Sequence, residues 1–153
     1  MSESTHTSPA SGRGELTGAF LILRLFIGLR TFMAGLEKFE TNGSYSFANY
    51  YSNMKHMAQG ITGASFLPLW ATRNFADSLG YLLIVLGATV LLGIKTRASL
   101  FLTGLLYVGL SFGLMAVQEN EGVAWLAIHV AIIAGALALA RNNRFALWPD
   151  RSS

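Results

Sequence analysis

The sequence predicts an all-α fold, an integral membrane four-helix bundle with both termini inside, and three observations lead there. Of its 153 residues 52% are hydrophobic and only 12% charged, about half the charged share of an ordinary soluble domain. Four apolar stretches, residues 16–36, 77–94, 98–117 and 123–140, hold 21, 18, 20 and 18 residues. As helices they span roughly 27–31 Å each, one hydrocarbon core. None alternates with period two, and lipid requires backbone groups to be paired internally, so helices rather than barrel strands are implied.

Residues 1–15, rich in Ser, Thr and Gly, carry no short apolar core before a small-residue cleavage site and read as a disordered cytoplasmic tail. The first span follows over 16–36, and residues 16–148 make up the membrane domain. A long outer first loop, about 38–76, exceeds the usual length of a bundle connection. Within it Phe47, Tyr50, Tyr51, Met54 and Met57 fall at helical spacing and predict a short helix over 45–58. That helix either lies in the membrane interface or packs as a cap over the bundle end.

The second span, 77–94, opens with Asp77 and ends at Gly93; Lys95 and Arg97 occupy the short connection to the third, 98–117. An acidic turn, Gln118–Gly122, leads to the fourth span, 123–140, and residues 149–153 form a C-terminal tail. Gly87, Gly104, Gly109 and Gly113 are candidates for close helix packing. Trp70, Trp125 and Trp148 fall at span boundaries, where indole rings favour the headgroup level. Arg13, Lys95, Arg97, Arg141, Arg144 and Arg151 outnumber Lys38, Lys55 and Arg73 on the other side, which places both termini in the cytoplasm of a multi-pass inner-membrane protein.

Several chemistries are excluded. With no cysteine, the chain offers no dithiol, no thiolate cluster ligands and no Cys-based zinc site. Its 11 basic residues are scattered, so nucleic acid is not an expected partner. No strand, Gly-rich loop and helix occur together to cradle a phosphate. Only His129 lies in a span, short of the two axial ligands of a b-type haem. Met54, Lys55, His56 and Met57 suggest a soft-metal site less well than interface packing, and no stable metal site is expected.

The residues that demand explanation are charges inside the first span. Arg24, Gly28, Thr31, Gly35 and Lys38 share one helix face, while Arg30 and Glu37 form a second polar line. An arginine at the lipid centre costs about 2.5 kcal/mol or more, so each needs a partner, water or a ligand. Arg24 either locks the bundle by bonding to carbonyls and headgroups or points into a site. Arg30, Glu37, Asp77, Tyr81 and His129 all belong to the outer half and can converge if the spans pack as a bundle. Thr103, Tyr107 and Ser111 share a face of the third span and add possible donors.

Such a pocket suits a quinone head group, whose carbonyls need donors such as Arg, His or Tyr and whose reduction needs proton carriers. His129, Arg30 and Asp77 are the candidate catalytic groups, and Arg24, Arg30, Glu37, Tyr81, Tyr107 and His129 the candidate quinone-binding groups. The competing reading is an Arg–acid–His network that merely satisfies itself.

The stretch Leu23-Arg24-Leu25-Phe26-Ile27-Gly28, then Ala34-Gly35-Leu36-Glu37-Lys38-Phe39, then Asp77, Gly80, Gly87 and Gly93-Ile94-Lys95-Thr96-Arg97 resembles the DoxX-like membrane proteins, which include the DoxD small subunit of thiosulfate:quinone oxidoreductase. The resemblance covers about residues 16–148. It departs at Asp77, where many family members have glutamate, and at the close, Arg144-Phe145-Ala146-Leu147-Trp148. It implies a four-helix bundle of the cytoplasmic membrane linked to redox or sulfur metabolism. The expected function is a quinone-facing or anchoring subunit of a membrane oxidoreductase, fed electrons by a partner protein. The alternatives are a non-catalytic scaffold or assembly factor for a client protein and, less well supported, a small-solute transporter built by an oligomer.

Overall fold

The computed structural model describes residues 9–148. They form α1 (Pro9–Leu36), a two-stranded hairpin of β1 (Glu40–Thr41) and β2 (Ser44–Tyr45), α2 (Phe47–Ala64), α3 (Leu69–Leu92), α4 (Thr96–Ala116) and α5 (Asn120–Leu139). Single 3-10 turns follow α1 and α5. Gly14–Phe39, α3, α4 and Asn120–Asn142 are each long and apolar enough to cross a membrane. The all-α bundle is therefore as expected, but helix ends move, because hydropathy marks the apolar stretch of a helix and not its caps. α1 begins at Pro9, a residue suited to a first helical turn, so residues 9–15 are helical rather than part of a tail. The rest of that tail and residues 149–153 lie outside the described residues. α3 begins at Leu69 after Pro68 and carries Arg73 and Asp77 one turn apart within the helix.

Local chemistry sets the boundaries. Gly93 ends α3 in the left-handed region (φ 71°), and its N–H and that of Ile94 reach back to the last carbonyls of the helix. Asn42 and Gly43 both take positive φ and close the hairpin, the pairing that a two-residue turn requires. Ser46 caps α2, its hydroxyl accepting from the Asn49 N–H at 3.1 Å.

The bundle is organised around α3, which has two neighbours in series. α1 runs antiparallel along its C-terminal half: Gly28 faces Leu91, Gly87 faces the Phe32 backbone, and Gly35 faces Ile84 and the Gly80 carbonyl. Small residues at these crossings let the helices touch. α1 stops there, and α2 takes its place along the N-terminal half of α3. Tyr50, fully buried, donates its hydroxyl hydrogen to the Asp77 carbonyl (2.6 Å) and accepts from the Gly80 N–H (3.3 Å). Farther along, the Thr62 and Thr72 hydroxyls meet at 2.7 Å.

α2 is thus a packed element longer than the 45–58 helix expected. Its inward stripe is Tyr50, Met54 and Ala58, whereas Phe47 and Tyr51, expected on the same face, are 66% and 55% exposed. Phe20, Leu79, Leu83, Leu100, Tyr107 and Ile133 contribute to the main core from four helices.

Two outcomes check this packing. A methyl at Gly87 would land on the Phe32 backbone, while nothing lies within 4 Å of Gly135. Gly87→Ala is expected to destabilise the bundle by about 1–3 kcal/mol and Gly135→Ala to be neutral or stabilising, as read from unfolding in detergent.

Burial pushes the Tyr50 phenol above its ordinary value of 10.0, reinforced by Asp77 and Tyr51 and opposed by the bond from the Gly80 N–H. Because the folded value is raised, this contribution is intact below about pH 10 and is lost as pH climbs through the folded pKa. Hydrogen exchange in α2 should therefore accelerate above pH 10 in the parent, beyond any change in Tyr50→Phe; identical profiles would contradict the assignment.

Candidate functional site

Arg24 and Arg30 leave the apolar middle of α1 in opposite directions. Arg24 is 4% exposed and reaches the end of the bundle that carries the α3–α4 turn. Its Nη1 donates to the Asn143 Oδ1 (2.9 Å) and the Phe145 carbonyl (2.5 Å). Asn143 in turn donates to the Thr96 hydroxyl at 2.7 Å. The segment after α5 is held against the turn by Leu147 N–H to Leu92 O, Trp148 N–H to Gly93 O and Lys95 N–H to Trp148 O. A side chain at Gly93 would come within 2.7 Å of Arg24 Nη1 and 3.0 Å of the Ala146 Cα, so it would displace the end of Arg24 from its partners, and the positive φ independently favours glycine. Of the two roles open to Arg24, the structure selects the lock on carbonyls, and Arg24 is no part of the cavity described next.

That cavity, about 610 Å³, lies at the opposite, α2 end. Leu79, Leu83 and Phe75 of α3, Met57 and Ile61 of α2, and Leu126 of α5 supply apolar walls. It persists because α4 places Gly109 and Gly113 along it. Nothing lies within 4 Å of a Cβ at Gly113, and Gly109 meets only the Phe75 ring, at 3.8 Å or beyond. These two glycines make space instead of close packing, a correction to the expectation; Gly87 packs tightly and Gly104 meets Ile133 at 3.4 Å.

The polar lining is sparse. Arg30 Nη1 pairs with the Glu37 carboxylate at 3.5 Å, with side chains 44% and 58% exposed. Arg30 and Glu37, two turns apart, therefore reach toward each other near the end of the helix, where Lys38 also borders the cavity. His129 Nδ1 lies 2.8 Å from the Trp125 carbonyl. Since a carbonyl only accepts, Nδ1 carries the hydrogen and Nε2 is left for another partner. The imidazole is flanked by two rings, Tyr107 at 5.6 Å and Phe26 at 6.5 Å between centroids. The Tyr107 hydroxyl, buried, meets that of Thr31 at 3.3 Å.

Of the residues singled out from sequence, Arg30, Glu37, Tyr107 and His129 line one cavity. Arg24, Asp77 and Tyr81 do not. Asp77 pairs with Arg73 at 3.7 Å on its own helix, and Tyr81 packs edge-on against Phe39 and Tyr50. Both belong to the part of α3 covered by the 3-10 turn at Phe39 and by α2, a neighbour that spacing within the span cannot reveal. Thr103 and Ser111 turn their hydroxyls onto their own helix, to Ser99 O and Tyr107 O, and offer no donor to the cavity. Ile61 was missed, and Met57 was read as part of the α2 stripe and not as a lining residue; their i, i+4 spacing was the available signal. Among the described residues no group of three or more His, Cys, Asp or Glu side chains gathers to hold a metal ion.

Chemically, the cavity presents one imidazole with a committed tautomer, one phenol and one guanidinium neutralised by a carboxylate. Such a set can bind and orient carbonyl oxygens and move protons. Comparison with family models, curated proteins and solved structures finds no match to this chain.

Removing the Arg24 lock should free the C-terminal segment. Arg24→Met is expected to cost about 1.5–3 kcal/mol and to raise proteolysis and hydrogen exchange at residues 143–148 selectively, as mass spectrometry would measure. Unchanged protection there would refute the clamp.

Proposed function

We propose that the chain is an integral membrane subunit, similar to the DoxX-like proteins, whose cavity binds a quinone head group for a membrane oxidoreductase. The observation that carries this reading is His129: its Nδ1 is spent on the Trp125 carbonyl, which leaves Nε2 available in a mainly apolar cavity. The volume of 610 Å³ falls within the range of small-molecule sites. In this reading four spans cross the cytoplasmic membrane, with the termini inside and the α2 end outside.

A bound quinone supplies a carrier that takes up two electrons and two protons. Arg30 would donate to one carbonyl oxygen, and the unprotonated Nε2 of His129 would accept from the hydroxyl of the reduced, quinol form. The apolar walls would exclude water, and the exposed Glu37 beside Arg30 would exchange protons with the outer surface. Asp77 has no part in this scheme. With no cysteine and no flavin fingerprint in its sequence, the chain depends on a partner protein for electrons. The aromatic side chains Phe47, Phe66 and Trp70, 66–81% exposed at the α2 end, favour an anchoring or docking role there.

The experiment is binding of a short-chain quinone to the purified protein in mild detergent. His129→Leu removes the acceptor, and Gly113→Leu fills the cavity from a position with open space. Each is expected to weaken binding by about tenfold or more, since a buried hydrogen bond or blocked volume is worth at least about 1.4 kcal/mol. Parent-like affinity in both folded variants would sink the proposal and favour the scaffold reading.

A further inference from the structure

Charge differs between the two ends of the bundle. At the α2 end acids and bases mix, Glu37, Glu40, Asp77, Glu119 and Glu121 with Arg30, Lys38, Lys55 and Arg73. At the other end Lys95, Arg97, Arg141 and Arg144 are exposed, and Glu15 on α1 is the only acid among the described residues of that half. The segment following α5 adds a second property. Asn143 and the Phe145 carbonyl turn inward to Arg24, and the Ala146 backbone lies against Gly93. The side chains of Phe145, Leu147 and Trp148 turn outward, 62%, 72% and 66% exposed. A short extended strap is thus bonded along the α3–α4 turn, with exposed apolar side chains beside Arg144 and next to Lys95 on the turn.

We propose that this end of the molecule is a binding face for anionic phospholipid, with Lys95, Arg141 and Arg144 taking the headgroup phosphates and Phe145, Leu147 and Trp148 entering the boundary of the acyl chains. The inference rests on the four-span reading, which puts the ends of the apolar helices, and so this strap, level with the headgroups. Two features select lipid over an acidic protein. The strap sets Arg144 beside the exposed Phe145, Leu147 and Trp148, with the exposed Arg141 just before it and Lys95 on the turn it is bonded to, so apolar and basic side chains share one rim, the composition of an interfacial anchor. The strap is also held from beneath by a buried guanidinium, so the exposed side chains are presented without an ordering cost on binding. Clustered basic residues next to a span attract acidic lipids, and the attraction is screened by salt.

The test uses the full chain with Trp70→Phe and Trp125→Phe, leaving Trp148 as the only indole, reconstituted in vesicles. Each vesicle contains the same mole fraction of a brominated quencher lipid, either phosphatidylglycerol or phosphatidylcholine. Brominated phosphatidylglycerol should quench Trp148 at least about twofold more strongly at low ionic strength, and the preference should shrink toward unity in high salt. Replacing Lys95, Arg141 and Arg144 together by Gln should also abolish the preference without salt. Equal quenching by both lipids in the parent, or a preference that survives salt and neutralisation, would overturn the inference. Trp148 that neither lipid quenches, in protein that has inserted, would likewise overturn it and point to an acidic protein partner. Failure to insert at all would instead refute the four-span reading on which it depends.

Discussion

A charged side chain cannot remain in the apolar middle of a long hydrophobic helix, and α1 carries two of them only six residues apart. The structure answers by sending each guanidinium to a different end. Arg24 reaches the α3–α4 turn, where its Nη1 donates to a carbonyl and an amide oxygen while its Nε stays buried without a partner. Arg30 reaches Glu37, beyond the last turn of the helix. The cost of burying an ion without partners is several kcal/mol, larger than any single packing contact here, so these two routes constrain how α1 can sit on α3. Each then organises its own end: one fastens the C-terminal strap, and the other gives the cavity a neutralised polar edge.

The cavity follows from a mismatch in reach. α1 stops where Gly35 meets Ile84, yet α3 continues for more than three turns toward its own N-terminus. α2 covers that remainder, pinned by the Tyr50 hydroxyl at Asp77 and Gly80. A helix that joins from the side packs against α3 but leaves the space among α2, α4 and α5 unfilled, and Gly109 and Gly113 keep it so. Each of these glycines forgoes burial of a side chain in a helix otherwise rich in leucine. That loss of packing is intelligible if the volume serves a ligand. The His129 ring is oriented by its bond to the Trp125 carbonyl and stands between Tyr107 and Phe26.

Much of the fold was legible because a single physical rule governs it. Runs of 18 or more apolar residues without period-two alternation leave the backbone no option except helices, and all four reappear. Caps were less legible. The Asn42-Gly43 hairpin carried a plain turn signal and Ser46 a plain capping signal, both hidden inside a loop read mainly for its aromatic residues. At the site, the depth of Arg30, Glu37 and His129 along their helices placed them in one half of the bundle, and they do meet at one cavity. Asp77 and Tyr81 share that depth but meet Arg73, Phe39 and Tyr50 instead, because depth along a helix says nothing of azimuth once an unexpected neighbour is packed on one side.

The sequence by itself determined the class of the molecule, its four long apolar helices, the ends where its charges collect and the absence of thiol chemistry. Each is a property of composition or of one helix alone. The tertiary structure decided which way each arginine runs, that α2 replaces α1 along α3, that two glycines open a cavity while others close a helix contact, and which imidazole nitrogen stays free. These depend on distances between residues far apart in the chain, and those distances are set only when helices dock against one another.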